Sequence, residues 1–188
     1  ENMVQELVEK IEALPKAIPW HLIGHLQTNK VKYIAPFVSM IQSVDSLKLL
    51  KEINKHALKH NRVIDCLLQV YIADEDSKFG LDHAELIELL RDDSFGELQH
   101  VRIRGLMGIA TNTENEKVIR AEFYELKSLF DGIKTSFFRK DATFDTLSMG
   151  MSSDYQLAIE NGSTMIRLGS TLFGKRVIKH FKLNHGNN

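Results

Sequence analysis

"LSMGMSSDYQLAIENGSTMIRLGSTLFGKR", residues Leu147–Arg176, holds two apolar, strand-like runs, each followed by a turn of glycine and hydroxyl residues that leads into a helical pattern. In a parallel sheet, two strand-to-helix turns in succession open on the same edge of the sheet. Glycine lets a backbone approach a ligand, hydroxyls donate hydrogen bonds, and free N–H groups at a helix start attract negative charge. Ser148, Gly169, Ser170 and Thr171 are therefore the candidate ligands of a phosphate. Turn and cap duty alone is the alternative for either turn taken singly. Arg167 lies two residues before Gly169, so strand alternation puts both on one face, opposite Leu168. In a barrel that face is the interior, near the mouth.

Working outward, short apolar runs alternate with longer amphipathic ones, the pattern of strands joined by crossover helices. After an opening helix, Pro15 and Pro19 mark a connection, and "WHLIG" reads as a strand ending at Gly24. "VSMIQSVD" is the second strand, and the helix after it repeats Leu47, Leu50, Ile53, Ala57 and Leu58 at helical spacing, with Ser46 as its cap. "RVIDCLLQVYIA" and "HVRIRGLMGIA" are the third and fourth strands. Thr113 and Glu116 have capping-box spacing at the start of the long helix after the fourth strand. "TFDTLSMG" and "TMIRLG" are the fifth and sixth strands, with Gly162 stopping the helix between them.

Six such units in one row fit either a closed parallel barrel or an open doubly wound sheet. A (β/α)8 TIM barrel typically takes about 250 residues, so a 188-residue chain is short by roughly two strands. The barrel is favoured because the glycine-bearing turns follow the last two strands, where barrels often bind phosphate. An open dinucleotide fold would carry G-x-G-x-x-G in its first turn, and that pattern does not occur.

Composition narrows the function. Lysine plus arginine number 24 against 25 acidic residues, a net charge of -1, which lacks the electrostatic footprint of a nucleic-acid binder. Cys66 is the one cysteine and sits in an apolar run, so no internal disulfide forms and a reducing cytoplasm is the expected location. No run approaches the roughly 20 apolar residues that span a bilayer. The chain begins at Glu1 rather than at methionine and enters a helical pattern almost at once, so an N-terminally incomplete single domain over residues 1–188 is expected. Other polar residues are weaker candidates. His21 and His25 lack the glutamate of a zinc motif, His25 and Lys78 read as loop residues, Asp45 as a helix-cap neighbour, and the acidic "ADEDS" has no partner at a revealing spacing. On residues alone, a barrel isomerase or aldolase acting on a phosphorylated metabolite stays open.

"GHLQTNKVK" after "WHLI", "SVDS", "DSKFG", "RGLMGIA", the opening "ENMVQE" and the stretch Leu147–Arg176 together resemble the pyridoxal phosphate homeostasis proteins, the YggS/PROSC-type family, over nearly the whole chain. The resemblance implies a (β/α)8 barrel of the alanine racemase type, here lacking its first two strands and without the second domain of racemases. It implies pyridoxal 5'-phosphate (PLP) as cofactor. The phosphate would lie on Gly169, Ser170 and Thr171, with Ser148 and Met149 nearby, Arg167 at the pyridine nitrogen and Asn2 near the reactive end. The lysine that bonds the cofactor aldehyde would lie upstream of Glu1, and no lysine present takes that role. The function implied by the resemblance is that of a non-catalytic, monomeric carrier that buffers PLP for PLP-dependent apo-enzymes. A racemase-like enzyme is the alternative, since racemases of this fold also place an arginine at the ring nitrogen.

Overall fold

The computed structural model describes residues 1–73 and 79–174. The apolar runs become strands β1 (His21–Leu22), β2 (Met40–Val44), β3 (Ile64–Tyr71), β4 (Val101–Ile109), β5 (Thr146–Met151) and β6 (Met165–Arg167). The amphipathic runs become helices α1 (Val4–Ala13), α2 (Val31–Ile34), α3 (Leu47–Lys59), α4 (His83–Arg91), α5 (Glu116–Phe137), α6 (Tyr155–Glu160) and α7 (Ser170–Phe173). Short 3-10 turns at Thr28–Lys30 and Asp93–Glu97 complete the path. The helix at 31–34 was not legible in the sequence, where "TNKVKYI" offers barely a turn of pattern.

All neighbouring strands pair in parallel, in the sequential order β1-β2-β3-β4-β5-β6. A doubly wound sheet reverses its order at a switch point; this one does not, which settles the choice in favour of the barrel type. The curl is evident from contacts between distant strands. In a flat sheet β2 and β5 would lie about 14 Å apart, three strand spacings, yet the Ser148 hydroxyl on β5 reaches the Gln42 side chain on β2 at 2.7 Å. Gln42 also reaches Met165 Sδ on β6 at 3.2 Å. At the other edge, Ile23 N–H donates to the Glu1 carbonyl at 2.9 Å, so the first residues run beside β1. A Cβ on Gly24 would fall 2.0 Å from the Asn2 carbonyl oxygen, so glycine is what lets that segment lie so close.

Alternation sorts the side chains into two layers. One face carries the main core against the helices, including Leu22, Ile41, Val44, Leu68, Leu106, Leu147 and Met149. Inside the curl a smaller cluster joins Met40, Leu67, Met107 and Met165. Cys66 is buried on the helix side, and burial pushes its thiol well above the ordinary range, so it packs as a small apolar group.

Most helix boundaries match their sequence signals. Ser46 caps α3 by accepting the Leu49 N–H at 3.3 Å, and Gly162 turns the chain at φ 88° after α6. The capping box expected at Thr113 and Glu116 is not formed. Asn115 is the cap instead, accepting the Lys117 N–H at 3.1 Å, while the Thr113 hydroxyl accepts the Asn115 N–H at 3.2 Å. Asparagine immediately before the helix outcompetes a threonine two residues earlier, which closes a local turn of its own. A capping box does occur at α4, between Asp82 and Glu85.

Candidate functional site

The C-terminal ends of the strands open onto a cavity of about 730 Å³, within the range of small-molecule sites. Both edges of the sheet wall it: Glu1, Asn2, His21 and Ile23 on one side, Met165–Ser170 on the other, with Met151, Ser152 and Ser153 from the turn after β5. The two glycine- and hydroxyl-bearing turns do meet here. The N–H groups of Gly169 and Thr171 converge on the Ser152 hydroxyl oxygen at 3.1 and 3.3 Å. That oxygen stands where an anion's oxygen would be held, and a Cβ on Gly169 would have open space around it. Asp154 accepts the Met151 N–H at 2.5 Å and braces the Ser152 turn.

Arg167 lies across the cavity floor. Its Nη1 donates to the Ser148 hydroxyl at 2.7 Å and its Nη2 to the Gly108 carbonyl at 2.9 Å. Both acceptors are neutral, and among the described residues no carboxylate comes within ion-pair distance of it. Burial therefore pulls the guanidinium down to about 10, only partly offset by the more distant Asp154 carboxylate. It stays charged at neutral pH, with donors left over from its five.

The other sequence candidates do not all gather at the cavity. Asn2, Gly169 and Ser170 line the cavity. Ser148 is fully buried one layer beneath, on the floor, and Thr171 offers its backbone N–H. Met149 points away: its side chain is buried in the helix-side core, and its carbonyl accepts from the Ser163 hydroxyl at 2.8 Å. His25 is exposed; it pairs with Asp45 at 3.2 Å and leans on the Phe79 ring 5.2 Å away, outside the cavity lining. Lys78 lies outside the described residues.

Sequence patterns gave no role to His21, Gln42 or Ser152. Gln42 is 2% exposed, and its one visible signal was a long polar side chain within the mainly apolar "MIQSV" of a parallel strand. Its amide nitrogen lies 3.2 Å from His21 Nδ1. Burial lowers the His21 pKa, so the ring is neutral at neutral pH.

A family model described as the alanine racemase N-terminal domain matches residues 1–177. The chain belongs to that family. Within it, the chain groups with the pyridoxal phosphate homeostasis proteins. It is 42% identical to the one from Aquifex aeolicus over 177 residues, covering 94% of this chain and 75% of the relative. It is 38% identical to the one from Escherichia coli over 181 residues, covering 94% and 74%. Among solved structures, PipY from Synechococcus elongatus without PLP is 35% identical with a TM-score of 0.85, covering 93% of this chain and 80% of PipY. PipY with PLP bound is 34% identical with a TM-score of 0.77 and the same coverage. The Aquifex and Escherichia relatives carry names of homeostasis rather than of a reaction.

Proposed function

We propose that this chain holds pyridoxal 5'-phosphate in the cavity at the strand ends and takes part in PLP homeostasis as a carrier, without turnover of its own. The observation that carries the reading is Arg167, a charged guanidinium fixed by two neutral acceptors and facing a cavity beside the Gly169 and Thr171 N–H groups. The residues fit the cofactor at both ends. Gly169, Ser170 and Thr171 would take the phosphate on backbone N–H and hydroxyl groups, and Arg167 would donate to the pyridine nitrogen. When bound, the cofactor supplies an aldehyde that bonds amines and a ring that withdraws electrons. A guanidinium only donates, so Arg167 would leave that ring nitrogen without a proton of its own and keep the ring a weak electron sink. Asn2 would stand near the reactive end. The recipients in this reading are PLP-dependent apo-enzymes, the carrier is a monomer, and the compartment is the cytoplasm. No helix among the described residues is long and apolar enough to cross a membrane.

Equilibrium dialysis against PLP and against pyridoxal tests the reading. PLP retained at least about tenfold more tightly, equivalent to about 1.4 kcal/mol, is the expected result. Equal affinity for the two would refute a phosphate grip. Racemisation of alanine at enzyme-like rates would replace the carrier with the racemase-like alternative.

A further inference from the structure

The curl's interior is lined by Met40, Leu67, Met107 and Met165, yet it also holds a buried polar chain running from β6 to β1. Burying hydroxyl and amide groups in such a layer is unfavourable unless each is hydrogen-bonded. The charged end of that chain, Arg167, faces the cavity. We infer that Gln42 is a positioning residue whose side-chain amide, acting through the Ser148 hydroxyl, fixes the orientation in which Arg167 presents its guanidinium. The inference rests on the PLP-binding reading for its purpose, though its geometry stands apart from it.

Hydrogen-bond chemistry gives the chain one direction. A guanidinium has no acceptor, so Ser148 Oγ must accept from Arg167 Nη1 at 2.7 Å and aim its own hydrogen elsewhere. The Gln42 carbonyl oxygen, 2.7 Å away, takes that hydrogen. The Gln42 NH2 group then faces Met165 Sδ at 3.2 Å and His21 Nδ1 at 3.2 Å. A thioether sulfur cannot donate, so turning the amide over would set oxygen lone pairs against sulfur lone pairs. The two ends of the chain thus agree on one amide orientation. They also fix His21: Nδ1 accepts, and the ring's proton sits on Nε2. With Ser148 held this way, and Gly108 taking the second branch at 2.9 Å, both Nη groups of Arg167 are pinned.

Nitrogen-15 NMR on the protein without cofactor reads this arrangement directly, through rotation of the Arg167 guanidinium about its Nε–Cζ bond and through the His21 tautomer. Wild type is expected to show slow rotation and a proton on His21 Nε2. Gln42→Leu, which removes both ends of the amide, is expected to speed rotation by about tenfold, the worth of roughly one neutral hydrogen bond, since Ser148 loses the acceptor that orients it toward Arg167. Gln42→Glu keeps an acceptor for Ser148 but loses the donor to His21, so rotation stays slow while the His21 proton moves to Nδ1. This variant also keeps the volume of the side chain if Gln42→Leu does not fold. Ring-labelled PLP then reports the consequence, with a changed ring-nitrogen shift expected in Gln42→Leu. Equal rotation in wild type and Gln42→Leu, or an unchanged tautomer in Gln42→Glu, overturns the inference whether or not PLP binds. Failure of wild type to retain PLP, with the rotation and tautomer as expected, overturns the binding reading alone.

Discussion

Two arginines, one at each end of the strands, show how the same side chain can serve opposite purposes. At the N-terminal ends, Arg104 donates to Asp65 at 3.1 Å, to both oxygens of Asp145 at 2.9 and 3.1 Å and to the Thr143 carbonyl at 2.8 Å, and Arg102 joins Asp65 at 2.7 Å. The hydrogen bond to Asp145 raises the Arg104 pKa further, despite some desolvation. At the C-terminal ends, Arg167 meets only a hydroxyl and a carbonyl, and burial lowers it to about 10. A cation whose charge is answered by carboxylates ties strands together. A cation held by neutral acceptors keeps its field for something that enters the cavity.

The sharpest way to break this comparison is Arg167→Ala. Loss of one charge-assisted contact and its field predicts PLP retention about a hundredfold weaker, some 2.7 kcal/mol, in equilibrium dialysis. Arg104→Met should do the reverse: about 2 kcal/mol less stable in urea, because it leaves Asp145 without its cation and Asp65 with Arg102 alone at a partly exposed site, with PLP affinity within about twofold of wild type. Arg167→Met tests the stability side of the contrast. Replacing a poorly compensated buried charge with an apolar chain of similar length should change the unfolding free energy by less than about 1 kcal/mol.

Acid sensitivity supplies the smallest effect. Burial pushes the Asp145 carboxyl up, but hydrogen bonds from Arg104 and the Thr146 hydroxyl outweigh it and leave its pKa below the ordinary value. A depressed folded-state pKa gives stability that is complete above the unfolded value, about 4 for aspartate, and is lost as pH falls through the folded one. Unfolding free energy measured in urea should therefore decline below about pH 4 in wild type. Asp145→Asn should flatten part of that decline, whereas Arg167→Met should leave it unchanged.

The fold was readable because strand and helix periods are local, and the stretch from Leu147 to Arg176 carries both cavity turns within about thirty residues of chain. The hydrogen-bond network that supports Arg167 and Ser148 was not. Gln42 meets Ser148 across 106 positions and Met165 across 123, and no local pattern announces a contact that exists only once the sheet has curled. His21 was passed over for the same reason: its partner lies on another strand. Met149 shows the limit of reading by neighbourhood in the sequence. It is adjacent to Ser148 in sequence, but alternation sends it to the opposite face of the sheet.

The Ser152 hydroxyl has a consequence for exchange. Because it already satisfies the Gly169 and Thr171 N–H groups, a phosphate held there as proposed would gain only the difference between a neutral and a charged acceptor, about 1 kcal/mol per bond. When the phosphate leaves, the hydroxyl can return, and the two donors need not wait bare for water. Capture and release at this turn become a swap of partners rather than the making and breaking of bonds. That lowers the barrier in both directions, and a protein that must surrender what it holds works best with a grip that can be handed over.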